Sequence, residues 1–332
     1  MKVQLYIDTA QTKLSVKDRL FFIQSPHRNQ QISPLRIDSI AITSDVQINS
    51  AAIKLAALNN IPIFFYQREG KLIAQLRSPV FLKHADLRYK QLIFMKSVYG
   101  NKWITQQIIQ KIKLQSLTIK RWAKILPSTA SILEENILKL EDYISVIKLL
   151  DAKQINLDKT IMGLEGNTAR IYYKSINLII PEAYRFEKRS RQPGADYFNV
   201  VLNYLYGLTY GKVTKALHAA GLDTYVGALH KTAHKETLVF DFIESFRPIV
   251  DRLLIDTCNE HLWQPQHFNT IEGGYLINKE GKKLLFTSYS DFIKKRINWK
   301  QKVTTIENHM FHEARRLKIE IENTKIHVSD IL

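Results

Sequence analysis

The sequence predicts an α+β chain: a β-rich N-terminal domain over residues 1–86 joined to a larger all-α domain over residues 87–332 that ends in a basic tail. Two changes of texture carry that expectation. Up to about Leu87 the chain runs in short β-branched or aromatic segments separated by turn residues, which is the pattern of strands. Beyond Arg88 the segments lengthen and their apolar residues recur at three- and four-residue spacing, which is the pattern of helices. A chain of 332 residues is long enough for two cores.

In chain order, strands are expected over residues 3–7, 13–16, 19–24, 39–43, 61–66 and 72–76. One helix interrupts them at 50–58, stopped by Asn59 and Asn60. The joint between the domains is expected within 83–90. Helices follow over 89–98, 103–114 and 132–149. Another opens at Glu165, with Tyr172, Ile176 and Ile179 on its buried side. No simple internal repeat and no low-complexity stretch appears.

Composition narrows the function. Hydrophobic residues make up 45% of the chain and charged residues 24%, as in ordinary globular proteins. The single cysteine, Cys258, excludes an internal disulfide and fits a reducing cytoplasm. Its apolar neighbours mark it as a buried thiol rather than a nucleophile. The N-terminus lacks the apolar core of a secretory signal, and no run approaches the roughly 20 apolar residues of a membrane helix.

The net charge is +17, and it is unevenly spread. Residues 1–100 carry +8, residues 101–200 +6 and residues 281–332 +5, whereas residues 201–280 carry −2. An acidic segment within a basic chain suits a cation site flanked by phosphate-binding surface.

Three carboxylate or imidazole residues stand in distinctive settings. Glu165 lies in Gly163-Leu164-Glu165-Gly166-Asn167-Thr168-Ala169-Arg170. His230 closes Gly221-Leu222-Asp223-Thr224-Tyr225-Val226-Gly227-Ala228-Leu229-His230. Glu244 lies in Asp241-Phe242-Ile243-Glu244-Ser245-Phe246-Arg247-Pro248. One imidazole with two or three carboxylates suits a hard divalent ion, Mg2+ or Mn2+, and the imidazole favours Mn2+. Such an ion polarises a phosphoryl oxygen and activates a hydroxyl nucleophile. Asp241 and Glu244 are three apart, so a helix places them on one face. Alone, such a pair reads as a solvated face. Here Val239, Phe240, Phe242, Ile243 and Phe246 surround it, and buried carboxylates need a partner or a metal. Arg247 shares the face of Glu244, available to a phosphate or to a carboxylate.

These three settings, in this order, resemble the motifs of the CRISPR-associated integrase family, the Cas-one family. The resemblance extends into the N-terminal third through Leu14-Ser15-Val16, Pro34 to Ile40, and Asn60 to Phe65 followed by Gly70. It covers about residues 1–255. It implies that Glu165, His230 and Glu244 bind the metal, with His230 a neutral ligand, and that Asp241 is a catalytic residue that supports the site and coordinates the metal in some states. It implies DNA contact by Arg247, and places Asn199 and Tyr206 as residues that orient the ligands, although Tyr206 reads equally well as core. The implied reaction is transesterification: the 3′-hydroxyl of a captured prespacer duplex attacks a phosphodiester at the boundary of a CRISPR repeat. Cutting of branched DNA is the same chemistry reversed. The implied partners are DNA, a second copy of the chain paired through the N-terminal domain, and the small ferredoxin-like Cas-two protein. A general structure-selective DNA nuclease would share every one of these residues. A non-catalytic DNA-binding subunit would have no need of the acidic set.

Other features are weaker. His230-Lys231-Thr232-Ala233-His234 has the histidine spacing of a zinc protease but carries Lys231 where that motif needs glutamate. His309 and His312, beside Glu307 and Glu313, read as a solvated helix face in preference to a second metal site. Arg185, Lys188, Arg189 and Arg191, closed by Pro193-Gly194, read as a flexible DNA-facing loop, with Tyr184 and Phe186 as rings for base stacking. Lys294-Lys295-Arg296, with Trp299 and Lys300, reads equally as DNA contact or as an exposed helix or linker.

Overall fold

The computed structural model describes residues 3–67, 72–76, 78, 85–191 and 193–331. Gly70, and residues 83 and 84 of the expected joint, lie outside the described residues. The chain divides into two compact units, Met1–Ala85 and Asp86–Leu332.

The first unit holds β1 (Val3–Ile7), β2 (Thr12–Lys17), β3 (Leu20–Ser25), β4 (Arg28–Ile32), β5 (Ile37–Ile42), β6 (Val46–Ile48), α1 (Ser50–Leu58), β7 (Ile63–Tyr66) and β8 (Leu72–Leu76). The strands form two four-stranded sheets, ordered β1-β5-β7-β8 and β4-β3-β2-β6. Asp18 and Arg19 both adopt left-handed backbone and close the tight β2–β3 turn. Ile7, Leu14, Phe21, Ile37, Ile40 and Ile63 are buried in the core. Asn49 caps α1 by accepting from the Ala52 N–H at 2.9 Å, and the Asn59 amide donates back to Leu55 O at 2.9 Å. The helix runs over the expected 50–58. Two strands were not expected. β4 has one apolar residue in Arg-Asn-Gln-Gln-Ile and no alternation, so only its ladder with β3 makes it a strand. β6 is three residues long and pairs in parallel with β2.

The second unit is mostly helical: α2 (Ala85–Met95), α3 (Val98–Ala123), α4 (Ala130–Lys148), α5 (Leu157–Ile179), α6 (Tyr197–Ala219), α7 (Thr237–Ile243) and α8 (Arg247–Asn259). Then come β9 (Phe268–Ile271), β10 (Gly274–Ile277), α9 (Lys279–Ile293), β11 (Arg296–Trp299), β12 (Lys302–Thr305) and α10 (Ile306–Asn323). The β9–β10 and β11–β12 hairpins qualify the all-α expectation. α3 lies at the centre and packs on α4, α5 and α8. It is a single 26-residue helix, well beyond the expected 103–114.

The helix that carries Glu165 starts at Leu157, so Glu165 sits in its interior and does not open it. Gly163 and Gly166 lie inside this helix, and a Cβ on either would meet nothing within 4 Å. They cost helix propensity, roughly 1 kcal/mol each, without interrupting the hydrogen-bond ladder. Tyr172, Ile176 and Ile179 are buried as expected. The expected basic tail is a packed structure: Trp299 and Met310 are buried, and Lys300 pairs with Glu313 at 2.5 Å. Among the described residues no helix is long and apolar enough to cross a membrane.

Candidate active site

A cavity of about 800 Å³ in the second unit gathers Glu165, His230 and Glu244 with Lys111, Arg189, Arg191, Arg247, Tyr206 and Asp251 in its wall. Glu165 enters from α5, His230 from the loop before α7, and Glu244 from the residue that ends α7.

The His230 loop is built on Asp241. Its carboxylate, wholly buried, accepts from the backbone N–H of Ala228 at 2.6 Å, Leu229 at 2.9 Å and His230 at 3.1 Å. The same carboxylate accepts from the His230 ring at Nδ1, at 2.6 Å. In the neutral imidazole that bond places the proton on Nδ1 and leaves the lone pair on Nε2. Gly227 makes the approach possible, because a Cβ there would stand 2.6 Å from Asp241 Oδ2. Asp241 and Glu244 therefore serve different partners, although three residues separate them. With both oxygens engaged by the loop, Asp241 orients the imidazole from behind.

Glu244 is 3% exposed and has a cation on each oxygen. Arg247 Nη1 lies 2.7 Å from Oε1, the pairing expected from their shared face. Lys111 Nζ lies 2.6 Å from Oε2 and also donates to Glu165. Burial works to raise the Glu244 pKa, but Arg247 and then Lys111 outweigh it and hold it below the usual glutamate range. Burial likewise opposes charge on Lys111, yet Glu244 and then Glu165 raise its pKa. The Lys111 ammonium and the Glu244 carboxylate are thus charged together.

Behind them, the Tyr206 hydroxyl donates to Asp251 at 2.7 Å and lies 3.2 Å from the Tyr173 hydroxyl. Burial pushes Asp251 up to about 6, against the opposing Tyr206 bond. The Arg247 and Arg189 guanidinium groups cover the Tyr206 ring at 5.1 and 5.7 Å. Tyr206 is thus both core and support.

The basic cluster divides. Arg189 turns inward, donating to Asn199 Oδ1 at 2.5 Å and Asn203 Oδ1 at 2.7 Å, and lines the cavity with Arg191. Arg185 and Lys188 are exposed. Asn199, wholly buried, also donates to Lys188 O at 3.0 Å and accepts from Ser190 N–H at 3.1 Å. Asn177 brackets Phe186 through its backbone N–H and C=O at 3.1 and 2.6 Å. The segment is pinned, which corrects the reading of it as flexible. Tyr184 and Phe186 are buried, and Phe186 stacks on Phe198 at 4.7 Å, so neither ring is available to a base.

His234 is exposed on a loop with left-handed backbone, so no histidine pair shares a helix face here. His309 is buried under Trp299, with Nε2 3.1 Å from Ile297 O, which corrects its reading as a solvated residue; His312 lies 3.2 Å from Lys302 Nζ. Cys258 is buried, and burial pushes its thiol pKa up, away from thiolate chemistry.

Lys111 and Asp251 escaped the sequence reading. The available signal was a charge inside an apolar stripe: Lys111 falls on the face of Ile104, Ile108, Ile112 and Gln115, and Asp251 sits among Ile249, Val250, Leu253 and Leu254.

The donor set fits a hard divalent ion. Two carboxylates already surround one cationic nitrogen, and His230 Nε2 has no protein partner among the described residues. Among the described residues no three His, Cys, Asp or Glu side chains close on one point as they stand. Lys111 sits at the focus of two of them.

Comparison with known proteins identifies the family. The family model described as CRISPR associated protein Cas1 matches residues 5–291. CRISPR-associated endonuclease Cas1 2 of Saccharolobus solfataricus is 31% identical over 245 residues, 72% of this chain and 70% of the relative. CRISPR-associated endonuclease Cas1 of Thermotoga maritima is 26% identical over 261 residues, 78% of this chain and 77% of the relative. Among solved structures, a Cas1 protein from Thermotoga maritima superposes with TM-score 0.81 at 20% identity, covering 98% of both chains. A casposase bound to integration product reaches TM-score 0.82 at 22% identity, covering 98% of this chain and 92% of that one. The chain belongs to the CRISPR-associated Cas1 family.

Proposed function

We propose that this cavity is the metal-dependent centre at which the chain, an integrase and endonuclease of CRISPR adaptation, joins DNA strands. The observation that carries the reading is the convergence of Glu165 and Glu244 on one cationic position, in a cavity that His230 also lines and Arg189, Arg191 and Arg247 make basic.

Glu165, Glu244 and His230 Nε2 would hold Mg2+ or Mn2+. The bound ion supplies activation of the attacking hydroxyl and neutralises charge on the phosphoryl oxygens. Asp241 keeps the imidazole in the tautomer that presents Nε2. Arg247 and Arg189, fixed over Tyr206, bind the phosphodiester and stabilise the charge that builds on it. Arg247 Nε is buried without a hydrogen-bond partner among the described residues, a donor in reserve for such an anion.

In the reaction, the 3′-oxygen of the captured strand bonds to phosphorus at the repeat boundary. The bond to the target strand's own 3′-oxygen breaks, and that oxygen leaves as a hydroxyl after taking up a proton. Phosphodiesters are conserved in number, so no nucleotide cofactor is consumed. Arg185 and Lys188 would track the DNA backbone outside the cavity. A second copy of the chain would pair through the first unit, where β4 is an exposed sheet edge. A solved Cas6-RT-Cas1–Cas2 complex contains a chain of this fold, TM-score 0.82 at 20% identity over 97% of this chain and 35% of that one. A small Cas2 protein is accordingly the proposed further partner.

The test is strand transfer of a duplex with a 3′-hydroxyl or a 3′-deoxy end into repeat-containing DNA, with Mg2+ or Mn2+ or with chelator. Joined product is expected only with the 3′-hydroxyl and the metal. Joining by the 3′-deoxy duplex, or in chelator, would exclude the mechanism.

A further inference from the structure

The ammonium of Lys111 occupies the point at which Glu165 and Glu244 meet. It comes from α3, the central helix, and is almost wholly buried. Its two acceptors come from α5 and from the end of α7, so one side chain from a third element ties two others together. Arg247 holds the remaining oxygen of Glu244. The cluster is compensated as it stands: two carboxylates face two cations.

That balance has a consequence for metal binding. Two carboxylates at close range, Glu244 buried and Glu165 partly exposed, repel each other unless a cation lies between them. A divalent ion placed between them meets a like charge already there. Lysine is suited to yielding the position, since its charge is compact and its four-carbon stem is flexible, whereas Arg247 is held by both Glu244 and the Tyr206 ring.

We propose that Lys111 is a resident cation of the metal site, which gathers Glu165 and Glu244 in the metal-free protein and withdraws from them when a divalent ion binds. The proposal rests on the reading of the cavity as a metal centre. The withdrawn ammonium remains in a cavity that accepts DNA, where a phosphodiester is its natural counter-ion. Metal and DNA binding are therefore coupled through this side chain, each strengthening the other.

The experiment measures Mn2+ binding to the full chain by electron paramagnetic resonance, without DNA, for the wild type and for Lys111→Met, which keeps the length of the stem and removes the charge. Melting of the metal-free proteins is recorded alongside. The Met variant is expected to bind Mn2+ at least tenfold more tightly and to melt at lower temperature without metal. The double variant Lys111→Met/Glu165→Gln should lose that gain. Equal affinities in wild type and Lys111→Met would overturn the role of Lys111 and leave the metal centre standing. Loss of binding in the Met variant alone would also overturn it, making Lys111 a support and not a competitor. No Mn2+ binding to either protein would remove the metal reading and the proposal with it.

A second measurement needs no variant. Reductive methylation of wild-type lysines, read by peptide mass spectrometry, should label Lys111 several-fold faster with Mn2+ than without. An unchanged rate at Lys111 means that the ammonium stays in place, and the proposal fails.

Discussion

Replacing Asp241 with asparagine changes one buried atom, and the effect can be worked from four hydrogen bonds. Oδ2 accepts from Ala228 and Leu229 N–H, and Oδ1 accepts from His230 N–H and from the His230 ring. An amide has one oxygen. If that oxygen serves His230, the NH2 group faces two backbone donors. If it serves Ala228 and Leu229, the NH2 group faces the His230 N–H and the imidazole. Two charge-assisted bonds are lost either way, at roughly 1.5–3 kcal/mol each. Gly227 packs within 2.6 Å of the Oδ2 position from where its Cβ would lie, so the loop has little room to relax. The expected loss is about 3 kcal/mol or more, a fall in melting temperature of about 6–12 °C for a unit of this size. Loss of the bond that orients His230 should also weaken Mn2+ binding by about 10–100-fold. Calorimetry and Mn2+ titration read the two effects, with Asp142→Asn, at an exposed position on α4, as the control. Melting within 1 °C of wild type together with unchanged Mn2+ affinity would mean that Asp241 neither holds the loop nor orients His230.

Asp251 supplies a pH dependence of unusual sign. Its folded pKa is raised from 3.8 to about 6, so its contribution to stability is complete below pH 3.8 and is lost as pH rises through 6. Wild type should therefore lose about 3 kcal/mol relative to Asp251→Asn between pH 3.8 and 6 in denaturant titrations, and parallel curves would contradict the assignment. Replacing Arg185, Lys188 and Arg191 together with alanine should weaken binding to two unrelated duplexes alike and flatten the log K against log salt slope by up to about 0.9 per lost contact. Loss on one duplex only would indicate base readout. Residues 1–90 and 91–332, expressed separately and weighed by light scattering, should give a dimer and a monomer respectively; the reverse would place the dimer interface in the helical unit.

The fold class was legible because the hydrophobic period changes near Leu87, and local composition reports that directly. β4 was hidden because its polar residues have no pattern apart from their partner strand. The sequence reading started α5 at Glu165, eight residues late, because the buried residues of its first turns, Leu157 and Ile161, show their helical spacing only with the rest of the helix in place. Within the site, His230 was legible because its motif is contiguous in sequence, whereas the seating of its loop on Asp241 showed only in the fold. Lys111 was not, since it lies 54 residues from Glu165 and 133 from Glu244 and no local motif surrounds it. The rings of Tyr184 and Phe186 misled for a related reason. An aromatic in a basic segment has two destinations, a base or the core, and only packing against Phe198 and the 2.7 Å bond from the Tyr184 hydroxyl to Trp263 O decided between them.

In the proposed centre Glu165, Glu244 and His230 hold one divalent ion. Crystals soaked in Mn2+ and measured at the manganese absorption edge test it without reference to activity. One anomalous peak is expected in the cavity, in contact with a carboxylate oxygen of Glu165, a carboxylate oxygen of Glu244 and Nε2 of His230, with the Lys111 ammonium displaced from between the glutamates. A peak on other ligands, or an empty cavity with Lys111 still bridging both carboxylates at saturating Mn2+, would contradict it.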